Sequence, residues 1–158
     1  MGMHTVLYGY IEEMDFWQEP IRQKVRKHNA SVIHSLPMAD SWPPVSKEMF
    51  SICTNYKNLQ GPNLEYRARI IHFGNSLKSV EQDWIEWRQK FEKLLARLYF
   101  CEAKVHDLPE YMALTTSSWS VDLLKYIVKH DGSMPEPITA ENITYERSPL
   151  DDIDGNEK

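Results

Sequence analysis

Apolar and polar positions alternate from near the start of the sequence. Residues 4–11, HTVLYGYI, are rich in β-branched and aromatic side chains and predict a first strand. Ile21, Val25, His28, Val32 and Leu36 then recur at helical spacing, with Asn29 and Ile33 beside them. Asp15, three residues before Gln18, is placed to cap that helix. Pro20 is tolerated only near the helix start, and Pro37 ends the helix. MADSWPPVSKE, 38–48, reads as a loop, because two consecutive prolines suit neither a helix nor a central strand.

Further along, MFSICT at 49–54 predicts a short strand, and NYKNLQGPN at 55–63 a turn-rich loop. LEYRARIIHF, 64–73, alternates and then becomes fully apolar, as a central strand does, and Gly74 with Asn75 is expected to break it. Ser79 and Gln82 have capping-box spacing and open a helix. At 100° per residue, Val80, Trp84, Trp87, Phe91, Leu94, Leu95 and Leu98 fall within one arc of about 100°, the width of a core face. Both tryptophans are therefore expected to be mostly buried. Glu86 and Lys90 have the spacing of an exposed ion pair on the far side.

CEAKVHDL, 101–108, alternates again, Pro109 and Glu110 mark a turn, and YMALTTSSWSV, 111–121, predicts a last strand. DLLKYIVKH, 122–130, reads as a short helix, and everything after Gly132 as a Pro-containing acidic tail. The order strand, helix, strand, strand, helix, strand, strand predicts an α+β fold. It comprises an antiparallel sheet of about five strands in a ferredoxin-like split β-α-β order, with two helices on one face. The domain is expected over 1–132 and the tail over 133–158.

Charge changes this picture little for the body and more for the end. Net charge is −5, and residues 136–158 hold seven acids against two bases, so the rest is close to neutral. A body without basic excess argues against nucleic-acid binding. No apolar run approaches the roughly 20 residues that span a bilayer. The start lacks a basic stretch followed by a long apolar run, so no secretory leader is expected. The two cysteines, Cys53 and Cys101, match no metal spacing. These features together predict a protein of the reducing cytoplasm, without cofactor or metal.

Candidate chemistry is sparse. His72 and His106 approach each other only if their strands are neighbours. His106 and Asp107 are adjacent in a strand and so point to opposite faces. Thr115, Ser117 and Ser118 lie in a hydroxyl-rich strand without a nucleophile-elbow motif. Arg67 and Arg69 share a strand face with Ile71 and Phe73 and are expected to snorkel at a sheet edge. Tyr8 and Tyr10 share a face and form an aromatic platform of the kind RNA-binding sheets use, though without the basic surroundings.

The runs DSWPPVSKEMFSI and IIHFGNSLKSVEQDWIEWRQKFEKLLARLYF, followed by a strand containing AKVH, resemble small cytoplasmic immunity proteins of bacterial polymorphic, Rhs-type toxin systems. The resemblance covers residues 4–120 as a succession of similar segments and brings no catalytic motif. It implies stoichiometric binding: a cognate toxin domain whose active site is occluded, without turnover. Acidic inhibitors of this sort suit basic toxin surfaces. The expected contacts are Glu12, Glu13, Asp15, Tyr56 and Glu65 at one sheet edge, with Asp40 and Trp42 of the Pro-rich loop. The alternative is a small enzyme or ligand-binding domain with a His/Ser/Thr-lined pocket built on His72 and His106. A homodimer through an open sheet face is the third reading.

Overall fold

The computed structural model describes residues 4–15, 19–52, 69–123 and 133–149. Its elements in chain order are β1 (His4–Glu13), α1 (Glu19–His34), β2 (Phe50–Ile52), β3 (Ile70–Lys78), α2 (Trp84–Leu95), β4 (Phe100–Pro109), β5 (Thr115–Val121) and β6 (Ile143–Pro149). The strands form one sheet in the order β2-β3-β1-β4-β5-β6, and every neighbouring pair is antiparallel. The protein is thus an α+β fold with an open antiparallel sheet.

The sheet has six strands among the described residues rather than the expected five. The sixth, β6, lies within the segment expected to be tail. Its sequence alternates, with Ile143 and Tyr145 packed against the core and Thr144, Glu146 and Ser148 exposed, as an edge strand with one wet face requires. The expected helix at 122–130 falls almost wholly outside the described residues, as do 150–158.

Period two decides which side of each strand is dry. Leu7 and Ile11 of β1, Ile71 and Phe73 of β3, Ala103 and Val105 of β4, and Trp119 and Val121 of β5 are buried on one face. Both helices pack there. α1 contributes Ile21, Val25, Val32 and Ile33, and α2 contributes Trp87, Phe91, Leu94 and Leu95, all to a single core.

An aromatic ladder runs through that core from helix to sheet edge. Trp84 stacks on Trp87 at 5.4 Å and Trp87 on Phe91 at 5.0 Å. Phe91 meets Trp119 at 5.0 Å, and Trp119 meets Tyr145 of β6 at 5.0 Å. Such pairs add about 0.5–1.5 kcal/mol each beyond the area they bury. Trp87 is fully buried, and its Nε1 donates to the Pro44 carbonyl at 3.0 Å. Trp84 is only half-buried, at the end of the ladder.

Gly9, at the centre of β1, is dictated by close approach. A Cβ there would sit 1.9 Å from the Lys104 carbonyl oxygen and 2.7 Å from the Phe73 ring. Gly74 and Asn75, by contrast, do not end β3: the strand pairs with β1 through to Lys78. Gly74 lies on the wet face opposite Tyr8, where a missing side chain leaves the ladder of hydrogen bonds intact.

The expected capping box at Ser79 does not form. Ser79 has left-handed backbone (φ 51°), its side chain caps nothing, and a 3-10 turn at Val80–Asp83 precedes α2. The expected Glu86–Lys90 pair is replaced by two others. Lys90 binds Asp40 at 3.0 Å, and Arg88 binds Glu92 at 2.8 Å.

Candidate functional site

Both helices among the described residues lie on one side, and the other face of the sheet presents the even-numbered residues of β1, β3, β4, β5 and β6. Strand register arranges them in rows. Glu12 stands between Ile70 and Glu102, and Glu102 is followed by Ser120 and Thr144. In the next row Tyr10 stands between His72 and Lys104, followed by Ser118 and Glu146. Below it Tyr8 stands between Gly74 and His106, followed by Thr116. In the row after that, Val6 pairs with Ser76 and Leu108.

This face is amphipathic along its length. Val6, Tyr8 and Leu108 are large apolar groups left accessible, Tyr8 and Leu108 at 43% each. The turn after β4 adds exposed Tyr111 and Met112. The opposite end is acidic: Glu12 and Glu102 are directly opposed on neighbouring strands, with Lys104 3.4 Å from Glu102. An accessible apolar patch beside a charged one is a feature of protein contact surfaces. Alternation along β1 and β4 carries the signal for these residues, but singles out none of Val6, Leu108 or Glu102 without the strand order.

The side chains expected to contact a partner are dispersed. Glu12 is half-exposed on the open face. Glu13 is not at the surface: it is 1% exposed and forms a buried ion pair with Arg69. Arg69 Nη2 donates to Glu13 Oε2 at 3.0 Å and Asn29 Nδ2 donates to the same oxygen at 2.8 Å. Asn29 also bonds both backbone groups of Tyr99, which ties β1, β3 and α1 to the start of β4. Arg69 therefore does not snorkel; it neutralises a core carboxylate.

Asp15 lies beyond the end of β1 and binds Arg22 at 3.1 Å. Asp40 and Trp42 belong to the helix side of the molecule. Asp40 accepts from the Val45 amide at 3.0 Å and from Lys90, and Trp42 donates to Asp83 at 2.7 Å. Burial alone would raise the Asp40 pKa, but these two donors outweigh it and hold the carboxyl below its usual range. Tyr56, Glu65, Arg67 and Cys53 lie outside the described residues.

His72 and His106 share the open face but not a neighbourhood, because β1 runs between their strands. Two strand spacings separate them by roughly 10 Å. His106 rests on the Tyr8 ring at 4.9 Å and its Nδ1 is 2.8 Å from Thr116 Oγ1. Burial, then the nearby Lys104 charge, lowers its pKa and favours neutral imidazole. Tyr10 is pushed up, first by burial and then by Glu102. Clefts of about 230, 310 and 260 Å³ lie among the helices and the β5–β6 end, and neither histidine lines any of them. Among the described residues no group of three or more His, Cys, Asp or Glu side chains converges as metal ligands would.

A second polar cluster lies under the 3-10 turn. Asp107, opposite in face to His106 as alternation requires, is buried and accepts from Arg147 Nη2 at 3.1 Å. Arg147 also donates to Ser117 Oγ at 2.9 Å and lies 4.0 Å over the Trp84 ring. Thr5 donates to Glu81 beside them. Burial raises the Asp107 pKa, and Arg147 opposes that rise without cancelling it. This network fastens β6 to β4 and β5.

Cys101 is half-buried, and burial followed by the Glu12 charge pushes its thiol up to about 12, which leaves it unreactive. No helix among the described residues is long and apolar enough to cross a membrane. No family model matches the chain, and neither a curated protein nor a solved structure is significantly similar to it.

Proposed function

We propose that the protein is a cytoplasmic immunity protein that binds a cognate bacterial toxin domain and neutralises it by occluding its active site, without turnover. The observation that carries this reading is the sheet face that no helix among the described residues covers. Among the described residues both helices lie on one side of the six-stranded sheet, which leaves an accessible apolar patch at Val6, Tyr8 and Leu108 at one end of the other face. Burying such a patch against another protein is favourable, and exposed patches of this kind mark interaction sites. The segments 40–52, 70–100 and 103–106 that resemble immunity proteins supply the class of partner.

We read the topology as a ferredoxin-like split β-α-β unit extended by two strands. The chain order β1-α1-β2-β3-α2-β4 and the sheet order β4-β1-β3-β2 support that reading. Enzymatic use of His72 and His106 is the weaker alternative, since the two stand on either side of β1 and line no cleft described. Co-expression with the toxin domain encoded by the neighbouring gene tests the function. Restored growth and a co-purifying 1:1 complex are expected; a toxin that kills regardless and elutes alone overturns the proposal.

A further inference from the structure

The open face carries more information than its exposure, because its two ends differ in chemistry. At one end Glu12 and Glu102 are directly opposed across β1 and β4. Like charges in that position are destabilising. Lys104 reaches Glu102 from the same strand at 3.4 Å, and among the described residues no ion pair is formed by Glu12. Glu146 adds a third carboxylate in the row of Lys104, two strands away. At the other end Val6, Tyr8 and Leu108 stand exposed on adjacent strands.

We propose that this face docks a protein segment that places a lysine or arginine between Glu12 and Glu102 and an apolar side chain on Val6, Tyr8 and Leu108. This deepens the immunity-protein reading and rests on it for the biological source of the segment. Lys104 already offsets Glu102, and a cation set between the two carboxylates would pair Glu12 as well, so the complementarity follows from the strand register. The spacing is set as well. Glu12 and Tyr8 are four residues apart on one strand, about 13 Å. The partner therefore carries its cation and its apolar anchor that far apart, as four residues of strand or about nine of helix do. A nucleic-acid strand fits poorly, since its phosphates would meet the opposed carboxylates.

The protein, isotope-labelled for NMR, is titrated with an octapeptide of serine and threonine that carries one leucine and, four positions away, one arginine, so that both lie on the same face when it is extended. Amide shifts are expected at Tyr8, Tyr10, Glu12, Glu102 and Leu108, with affinity at least tenfold lower for the double variant E12Q/E102Q. That variant is expected to melt close to the wild type, because it removes the opposed charges together with the exposed Lys104–Glu102 pair, each of small worth, so weakened binding is not misfolding. Shifts confined to the helix side, or an E12Q/E102Q variant that binds as tightly as wild type, overturn the proposal. Growth rescue by the wild type is scored separately. Rescue with a peptide footprint elsewhere removes this surface and leaves the toxin reading standing. A footprint here without rescue removes the toxin reading and leaves the surface standing.

Discussion

Replacing Glu13 with alanine leaves the Arg69 guanidinium, itself only 7% exposed, without its counter-charge inside the core. One of Arg69's remaining contacts, to the Arg26 carbonyl at 3.0 Å, is a neutral acceptor and does not balance the charge. Asn29 Nδ2 keeps only the Tyr99 carbonyl. Removing one partner of a buried ion pair costs about 3–5 kcal/mol, because the other is stranded away from water. For a chain of this length each kcal/mol moves the melting temperature by about 2–4 °C, so Glu13→Ala is expected to lower it by roughly 6–20 °C. Urea unfolding followed by tryptophan fluorescence measures the loss directly, provided the slope with denaturant is unchanged. The double replacement Glu13→Leu with Arg69→Met removes both charges and keeps the volume, and it is expected to recover stability to within about 1 kcal/mol of wild type. A single-variant loss below about 1 kcal/mol would refute the buried pair, and so would a double variant as unstable as the single one.

Gly9→Ala places a methyl against the Lys104 carbonyl and the Phe73 ring and is expected to cost about 3 kcal/mol by the same unfolding assay, whereas Gly74→Ala, on the open face, costs under about 1 kcal/mol. With Cys53 replaced by serine, Cys101 is expected to resist alkylation at pH 8 in the native protein and to react fully once unfolded, because its thiol stays protonated up to about 12; rapid native labelling would contradict its burial. Asp107 has a raised native pKa, so the native state binds its proton more tightly than the unfolded chain does. Its contribution relative to Asp107→Asn is therefore greatest below its ordinary value of 3.8 and declines as pH rises through the native pKa. Thermal melts of both proteins from pH 3.5 to 7 are expected to show that difference narrowing upward, and a difference that grows with pH would count against it.

The elements most legible in the sequence are those whose burial follows one period. The arc through Val80, Trp87, Phe91, Leu94, Leu95 and Leu98 is buried as the helical wheel implies. The alternation of β1 and β4 likewise separates Leu7 and Val105 from Tyr8 and His106. Glu13 shows how charge misleads: it shares the inward parity of Thr5, Leu7 and Ile11, yet a carboxylate reads as surface until Arg69 is seen beside it. β6 alternates too, but acidic, Pro-containing surroundings disguise it, and its anchoring by Arg147 to Asp107 depends on a contact 40 residues away in sequence. The capping box failed because residue types at the right spacing do not set backbone conformation, and Ser79 is left-handed. The open face was legible only as a parity. Which even-numbered residues stand side by side depends on strand order, and that brings Glu12 against Glu102 and Val6 against Leu108.

The proposed mode of action is that the protein holds a toxin against its open sheet face. Hydrogen exchange on the protein mixed with the proposed partner, a toxin domain sought among the products of adjacent genes, tests it most directly. A 1:1 complex is expected in which amides of β1 and β4 around Tyr8, Glu12, Glu102 and Leu108 gain protection while the exposed side of α2 does not change. A toxin domain that forms no complex, or one that protects only the helix side, would contradict it.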